Sequence, residues 1–90
     1  MFAIGSTILL GRPSPNPSRG GFSVPFGLPD ATPTRMGVYD VSGRERVAQT
    51  YSGPGTYMFT LPAGHLEPGV YFVRLQGGRR QVTQRVVVAP

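Results

Sequence analysis

The chain has no cysteine, no lysine and no tryptophan, and it carries only four acidic residues and one histidine. Without cysteine there is no disulfide and no thiolate zinc site. Its absence leaves the compartment open, since exported domains also dispense with it. The acids are Asp30, Asp40, Glu45 and Glu67. A catalytic carboxylate needs a second acid, a base or a metal at a set distance, and this sparse set does not provide a pairing pattern. His65 stands between "PAG" and "LEPG" with no nucleophile beside it, and one histidine with Glu67 falls short of the three or four ligands a metal needs. It reads as a turn residue. No Ser/His/Asp spacing, phosphate loop or dinucleotide fingerprint occurs. No run reaches the ~18 apolar residues that span a membrane. The expectation is a protein that is not an enzyme, with no cofactor, no metal and no membrane span.

What is present is arginine, glycine and proline. Ninety residues allow one domain. All nine basic residues are arginine, giving a formal charge of +5. Apart from Arg79-Arg80 and the Arg44/Arg46 pair they are scattered singly. Nucleic-acid binders gather charge on one face and interleave aromatics with it, so the reading is a solvated basic surface and no nucleic-acid partner. The 13 glycines and 10 prolines fall between short alternating apolar runs, the pattern of an all-β chain with many turns.

Residues 2 to 10, "FAIGSTILL", are expected to form a strand weakened at Gly5. The proline-rich 11 to 21 should follow an extended, polyproline-like path. In "FSVPFGL", Phe22, Val24, Phe26 and Leu28 alternate with Ser23, Pro25 and Gly27, which predicts a half-buried strand; Pro25 places it at an edge or a bulge. "RMGVYDV" puts Met36, Val38 and Asp40 on one face, and Ser42-Gly43 turns it back into "RERVAQTY". "TYMFTL" and "VYFVRLQ" alternate likewise, with Leu66 as a plug in the turn between them. "QVTQRVVVA" closes the chain. Six or seven strands with turns every 8–12 residues predict two antiparallel layers around one core. The division expected is an apolar strand and proline-rich lead over 1–14 and the sandwich over 15–90. Met1 reads as an added start or a trimmed boundary.

The ordered set "PNPSRGGFSVPFGLP", "GVYDVSGRE", "LPAGHLEPGVYFVRLQ" and "RVVV" resembles the C-terminal sorting domain of type IX secretion cargo, over about residues 15 to 88. It is also similar to the immunoglobulin-like domain of the flagellar hook-capping protein. The resemblance implies an immunoglobulin-like β-sandwich of about seven strands, export by outer-membrane secretion machinery, and attachment at the bacterial cell surface or release outside it. The matching residues are Pro15, Asn16 and Pro17 in the front motif, Tyr39, Asp40 and Val41 with Gly43 in the central hairpin, Leu66, Gly69 and Tyr71 in "L-x-x-G-x-Y", and Arg85, Val86, Val87 and Val88 in the last strand. The family usually ends at or just after this strand, often on a basic residue, whereas this sequence ends Ala89-Pro90. The lead of 1 to 14 is too short to hold a cargo domain.

Three readings follow. The first is a non-catalytic sorting and anchoring module. The second is a structural subunit of an extracellular filament, in which Phe2, Ile4, Ile8 and Leu10 add as a strand to a neighbouring chain; the same run is equally able to fold back on its own sheet. The third is a carbohydrate-binding accessory domain of an exported hydrolase, using Tyr39, Tyr57 and Tyr71 as a stacking platform, against the alternative that these tyrosines are half-core. Asp40 is read as a residue that accepts backbone N–H bonds at its turn and pairs with Arg44.

Overall fold

A computed structural model describes residues 8–90. The chain is all-β, with strands β1 (Leu9–Leu10), β2 (Phe22–Leu28), β3 (Thr34–Asp40), β4 (Glu45–Tyr51), β5 (Gly55–Leu61), β6 (Gly69–Gly77) and β7 (Arg80–Val88). They form one antiparallel sheet in the order β1-β2-β5 and a second in the order β4-β3-β6-β7. The alternation read from the sequence is the alternation that is buried. Phe22, Val24, Phe26 and Leu28 of β2 face Met36 and Val38 of β3, Tyr71, Val73 and Leu75 of β6, and Val86 and Val88 of β7, in one core. Leu66 fills the turn before β6 and is buried with them. A period-two run has one wet and one dry face, so each strand commits to a register that a one-residue slip would invert.

β4 is the exception, exposed over much of its length. Its far end is nevertheless tied inward. The ring of Tyr51 meets Phe26 edge-on at 4.9 Å, and Tyr57 of β5 stacks on Phe26 at 5.2 Å. These aromatics join the ends of the two sheets, and the Tyr57 hydroxyl donates to the carbonyls of Ser52 and Gly53 in the intervening turn.

Two expectations are corrected, the extended path of 11 to 21 and the edge or bulge at Pro25, while the strand expected over 2 to 10 falls mostly outside the described residues. The apolar lead forms a strand only at Leu9–Leu10 among the described residues, and Phe2 and Ile4 lie outside them. Ile8 is buried in the chain's own core, and Leu10 packs against it. The proline segment is not one extended, polyproline-like path, because it bends over residues 15–17 between a rung from Ser14 to Ser23 and one from Ser18 to Val88. β2 is an inner strand rather than an edge, and no bulge marks Pro25. The register shift falls instead between Val38 and Tyr39, where β3 pairs with β4.

Pro25 is tolerated inside the sheet because β1 ends against it. Gly11 donates its N–H to the Pro25 carbonyl at 2.7 Å, and proline has no N–H with which to return the bond. The chain leaves the sheet at that point. The ring of Pro25 also sits where a Gly11 side chain would be, since a Cβ there would lie 2.6 Å from Pro25 Cγ.

Gly11→Ala is therefore expected to lower stability by about 1–3 kcal/mol, the usual cost of forcing an extra carbon into a packed site. Leu75→Ala, which empties a fully buried position, is expected to cost about 2–5 kcal/mol. Met58→Ala, at an exposed position on the outer face of β5, should stay within about 0.5 kcal/mol. Urea unfolding midpoints at a common slope measure all three.

Candidate functional site

The residues of the front motif, the central hairpin, the "L-x-x-G-x-Y" turn and the last strand are spread over some seventy positions of sequence. The sheet brings them together. Asp40 is opposite Tyr71 across β3 and β6, and Tyr71 is opposite Val86 across β6 and β7. The next row on one side runs Tyr39, Phe72, Arg85, and on the other side come Val70 with Val87 and then Gly69 with Val88. These positions make one end of the four-stranded sheet.

The row continues beyond β7. Asn16 donates from Nδ2 to the Arg85 carbonyl at 3.1 Å and accepts from the Val87 N–H at 3.0 Å. Those two bonds bracket Val86 as a peptide group of a parallel neighbour would. Two residues on, the backbone takes over. Ser18 donates its N–H to the Val87 carbonyl and accepts from the Ala89 N–H, both at 2.7 Å, and so brackets Val88. The side chain of Asn16 and the main chain of Ser18 are thus successive rungs on the outer edge of β7. Ser18 is completely buried, and its Oγ donates to the Gly21 carbonyl and accepts from the Gly20 N–H. Its polar atoms are satisfied, as burial requires. Sequence reasoning passed over Ser18; the available signal was a small hydroxyl residue directly after the proline motif, a type that bonds its own turn.

At the opposite side of the same end, Asp40 holds the β3–β4 turn. Its Oδ1 accepts from the backbone N–H groups of Ser42 and Arg44, each at 3.0 Å, and from the Ser42 hydroxyl. Gly43 adopts φ of 86° there, a conformation open to residues without a Cβ. Arg44 Nε lies 3.3 Å from Asp40 Oδ2, and Arg46 joins Asp40 to Glu67, whose two oxygens it meets at 3.1 and 3.2 Å. Glu67 in turn accepts the Tyr71 hydroxyl on its backbone carbonyl at 2.7 Å. The hairpin motif and the tyrosine motif are coupled through this chain of bonds, around a surface hollow of about 310 Å³.

Each carboxylate here is committed to a structural partner. The carboxyl of Asp40 is lowered to about 2, chiefly by the Ser42 hydroxyl bond, with the Arg44 and Ser42 amides helping to outweigh desolvation. Arg46 holds Glu67 below the usual carboxylate range, and Arg35 with the Tyr39 hydroxyl does so for Glu45. His65 has its Nδ1 3.2 Å from the Pro62 carbonyl in an exposed turn.

The tyrosines do not share a platform. Tyr71 is buried, Tyr57 stacks on Phe26, and Tyr39 lies on the outer face of β3. Its ring covers Gly37, where a Cβ would come within 2.7 Å of it, and carries the Arg74 guanidinium at 4.6 Å from its centroid. The aromatic surface supplied for a sugar is therefore divided between the core and a cation–π pair.

In this two-layer antiparallel fold the dispersed motifs fasten residues 16–18 to the last strand, and the carboxylates of Asp40, Glu45 and Glu67 are bound up in a turn and in ion pairs. The chain matches the family model described as the secretion system C-terminal sorting domain over residues 14–89, and it belongs to that family. Domains of this family mark proteins exported by type IX secretion to the cell surface or the extracellular space. No curated protein matches the chain.

Two measurements test this geometry. Asp40 has its carboxyl lowered on folding, so its stabilising effect is complete above the unfolded value of ~3.9 and is lost as the pH falls from there towards 2. Asp40→Asn is expected to remove that part of the acid dependence, seen as a flatter plot of unfolding free energy between about pH 4 and pH 2. Asn16→Ala strips two bonds from the β7 edge. It should cost about 1–2 kcal/mol and accelerate hydrogen exchange of the Val87 amide, while that of Val73 in the sheet centre follows only the global change.

Proposed function

We propose that this domain acts as the sorting and anchoring signal of an exported protein, and that the secretion machinery reads it as a folded surface rather than as a linear peptide. The reading surface is the end of the four-stranded sheet where Pro15, Asn16, Pro17, Tyr39, Asp40, Gly43, Gly69, Arg85 and Val87 are presented over the buried Leu66, Tyr71, Val86 and Val88. The single observation that carries this is the row from Asp40 through Tyr71 and Val86 to Asn16. Motif residues that meet only after folding constitute a signal that exists only in the folded domain. Residues 15–90 hold this surface, and Ile8 is buried at the other end of the core, near Thr34 and Gly77.

The filament and glycan readings draw no support from the residues on which they rested. Ile8 and Leu10 are engaged in the core, β1 pairs with the chain's own β2, and the tyrosines face different ways.

A folded reporter fused ahead of residues 8–90, expressed in a host with type IX machinery, is expected to reach the cell surface. The same fusion carrying Asn16→Ala with Ser18→Ala should be exported several-fold less, in proportion to the loss of protected Val87 amide. Retention of the wild-type fusion inside the cell with its domain folded overturns the proposal. So does undiminished export of a fusion whose sheet end has been opened.

A further inference from the structure

The nine arginines and four carboxylates are unevenly matched. Arg35 takes Glu45, Arg44 and Arg46 take Asp40 and Glu67, and Asp30 Oδ1 accepts the N–H of Thr32. Arg12 and Arg85 have no carboxylate partner among the described residues, and residues 1–7 contain no acid to supply one. These two arginines flank an open groove of about 590 Å³, whose other walls are Pro13, Ser14, Asn16 and Gln84.

The groove walls are fixed from below. Pro13 is buried, Ser14 exchanges both backbone bonds with Ser23 at 2.9 Å, the Asn16 amide is clamped on β7, and Gln84 donates to the Leu10 carbonyl at 3.4 Å. Two guanidinium groups therefore project from a rigid polar trough. Guanidinium forks match carboxylates with paired, charge-assisted hydrogen bonds. The trough is far larger than one small anion needs, as a water takes ~30 Å³. It has no aromatic on which a sugar would stack, and Pro13 is the one apolar residue in its lining, too little to hold a lipid chain.

We propose that this groove binds an acidic peptide segment, with two of its carboxylates engaging Arg12 and Arg85. The proposal rests on the sorting reading for where such a partner is met, the acidic segment belonging to a protein of the export route. The groove lies against the Asn16 clamp, so a bound segment would sense whether the front motif is docked on β7.

The test is a titration of the isotope-labelled full chain with hexaglutamate peptide, following the side-chain amides of Asn16 and Gln84 and the Nε–H signals of Arg12 and Arg85. Saturable shifts at these groups are expected. The affinity read at the Asn16 and Gln84 side-chain amides should weaken at least tenfold in the double variant Arg12→Gln, Arg85→Gln, and change less than twofold in Arg79→Gln, Arg80→Gln, which removes the same charge elsewhere. Dispersed spectra report that the variants fold. The absence of saturable shifts, equal weakening in both double variants, or the same shifts from inorganic phosphate at equal concentration would each overturn the proposal. Export of the reporter fusion is scored separately. An exported wild-type domain that does not bind hexaglutamate removes the groove proposal alone, and a domain that binds but is not exported removes the sorting reading alone.

Discussion

The outer edge of β7 sets the terms for the rest of the structure. An edge strand presents unpaired N–H and C=O groups, which invite pairing with any other extended chain. Here the far end of that edge, from the Arg85 carbonyl to the Ala89 N–H, is covered by residues 16 to 18. The cover alternates a side-chain amide with a main-chain peptide, so two residues give two rungs. Because β7 in turn pairs along its length with β6, and β6 with β3, fixing this edge fixes the position of Tyr71 and, through it, of Asp40. The sheet is the rigid member that transmits the placement, and the turns at Asp40 and Leu66 are finished against it.

Burial and polarity divide the work. Val24, Phe26, Met36, Val38, Val73, Leu75 and Val86 have essentially no exposed surface, and their removal from water is the main favourable term in folding. The ion pairs lie at the rim, where Arg44 and Glu67 are largely exposed, and pairs of that kind add little to stability. Their effect is directional. Arg46 between Asp40 and Glu67 holds the hairpin against the turn that precedes β6, so that two surface loops present one outline.

The strands were legible because the signal that makes them is local. The alternation of Phe22, Val24, Phe26 and Leu28 is written in seven consecutive residues, and Ser42-Gly43 marks its own turn. The role of Asp40 was legible for the same reason, since its partners are two and four residues away. The docking of Asn16 on β7 was not. Its partners are 69 and 71 residues distant, and a hydrogen bond between remote segments leaves no period in the sequence. The proline path failed similarly, because proline fixes φ but not the partner its segment will find. Pro25 misled in an instructive way. A missing N–H forbids one bond on one side of a strand, and β2 lies inside the sheet with that side facing the end of β1. Arg12 and Gln84 carried no motif at all and come together only through the crossing of the lead and the last strand.

One consequence of the clamp concerns time rather than geometry. The groups that receive Asn16 and Ser18 belong to Arg85, Val87 and Ala89, which leave the ribosome after β1 to β6 of this domain have been synthesised. Translation proceeds at ~5–20 residues per second, and non-local strand pairing is slow by comparison with local turns. A nascent chain halted before Val87 holds the front motif without the surface that receives it. The clamp thus forms only once synthesis has run through β7, and a chain cut before Val87 leaves Asn16 and Ser18 without these partners.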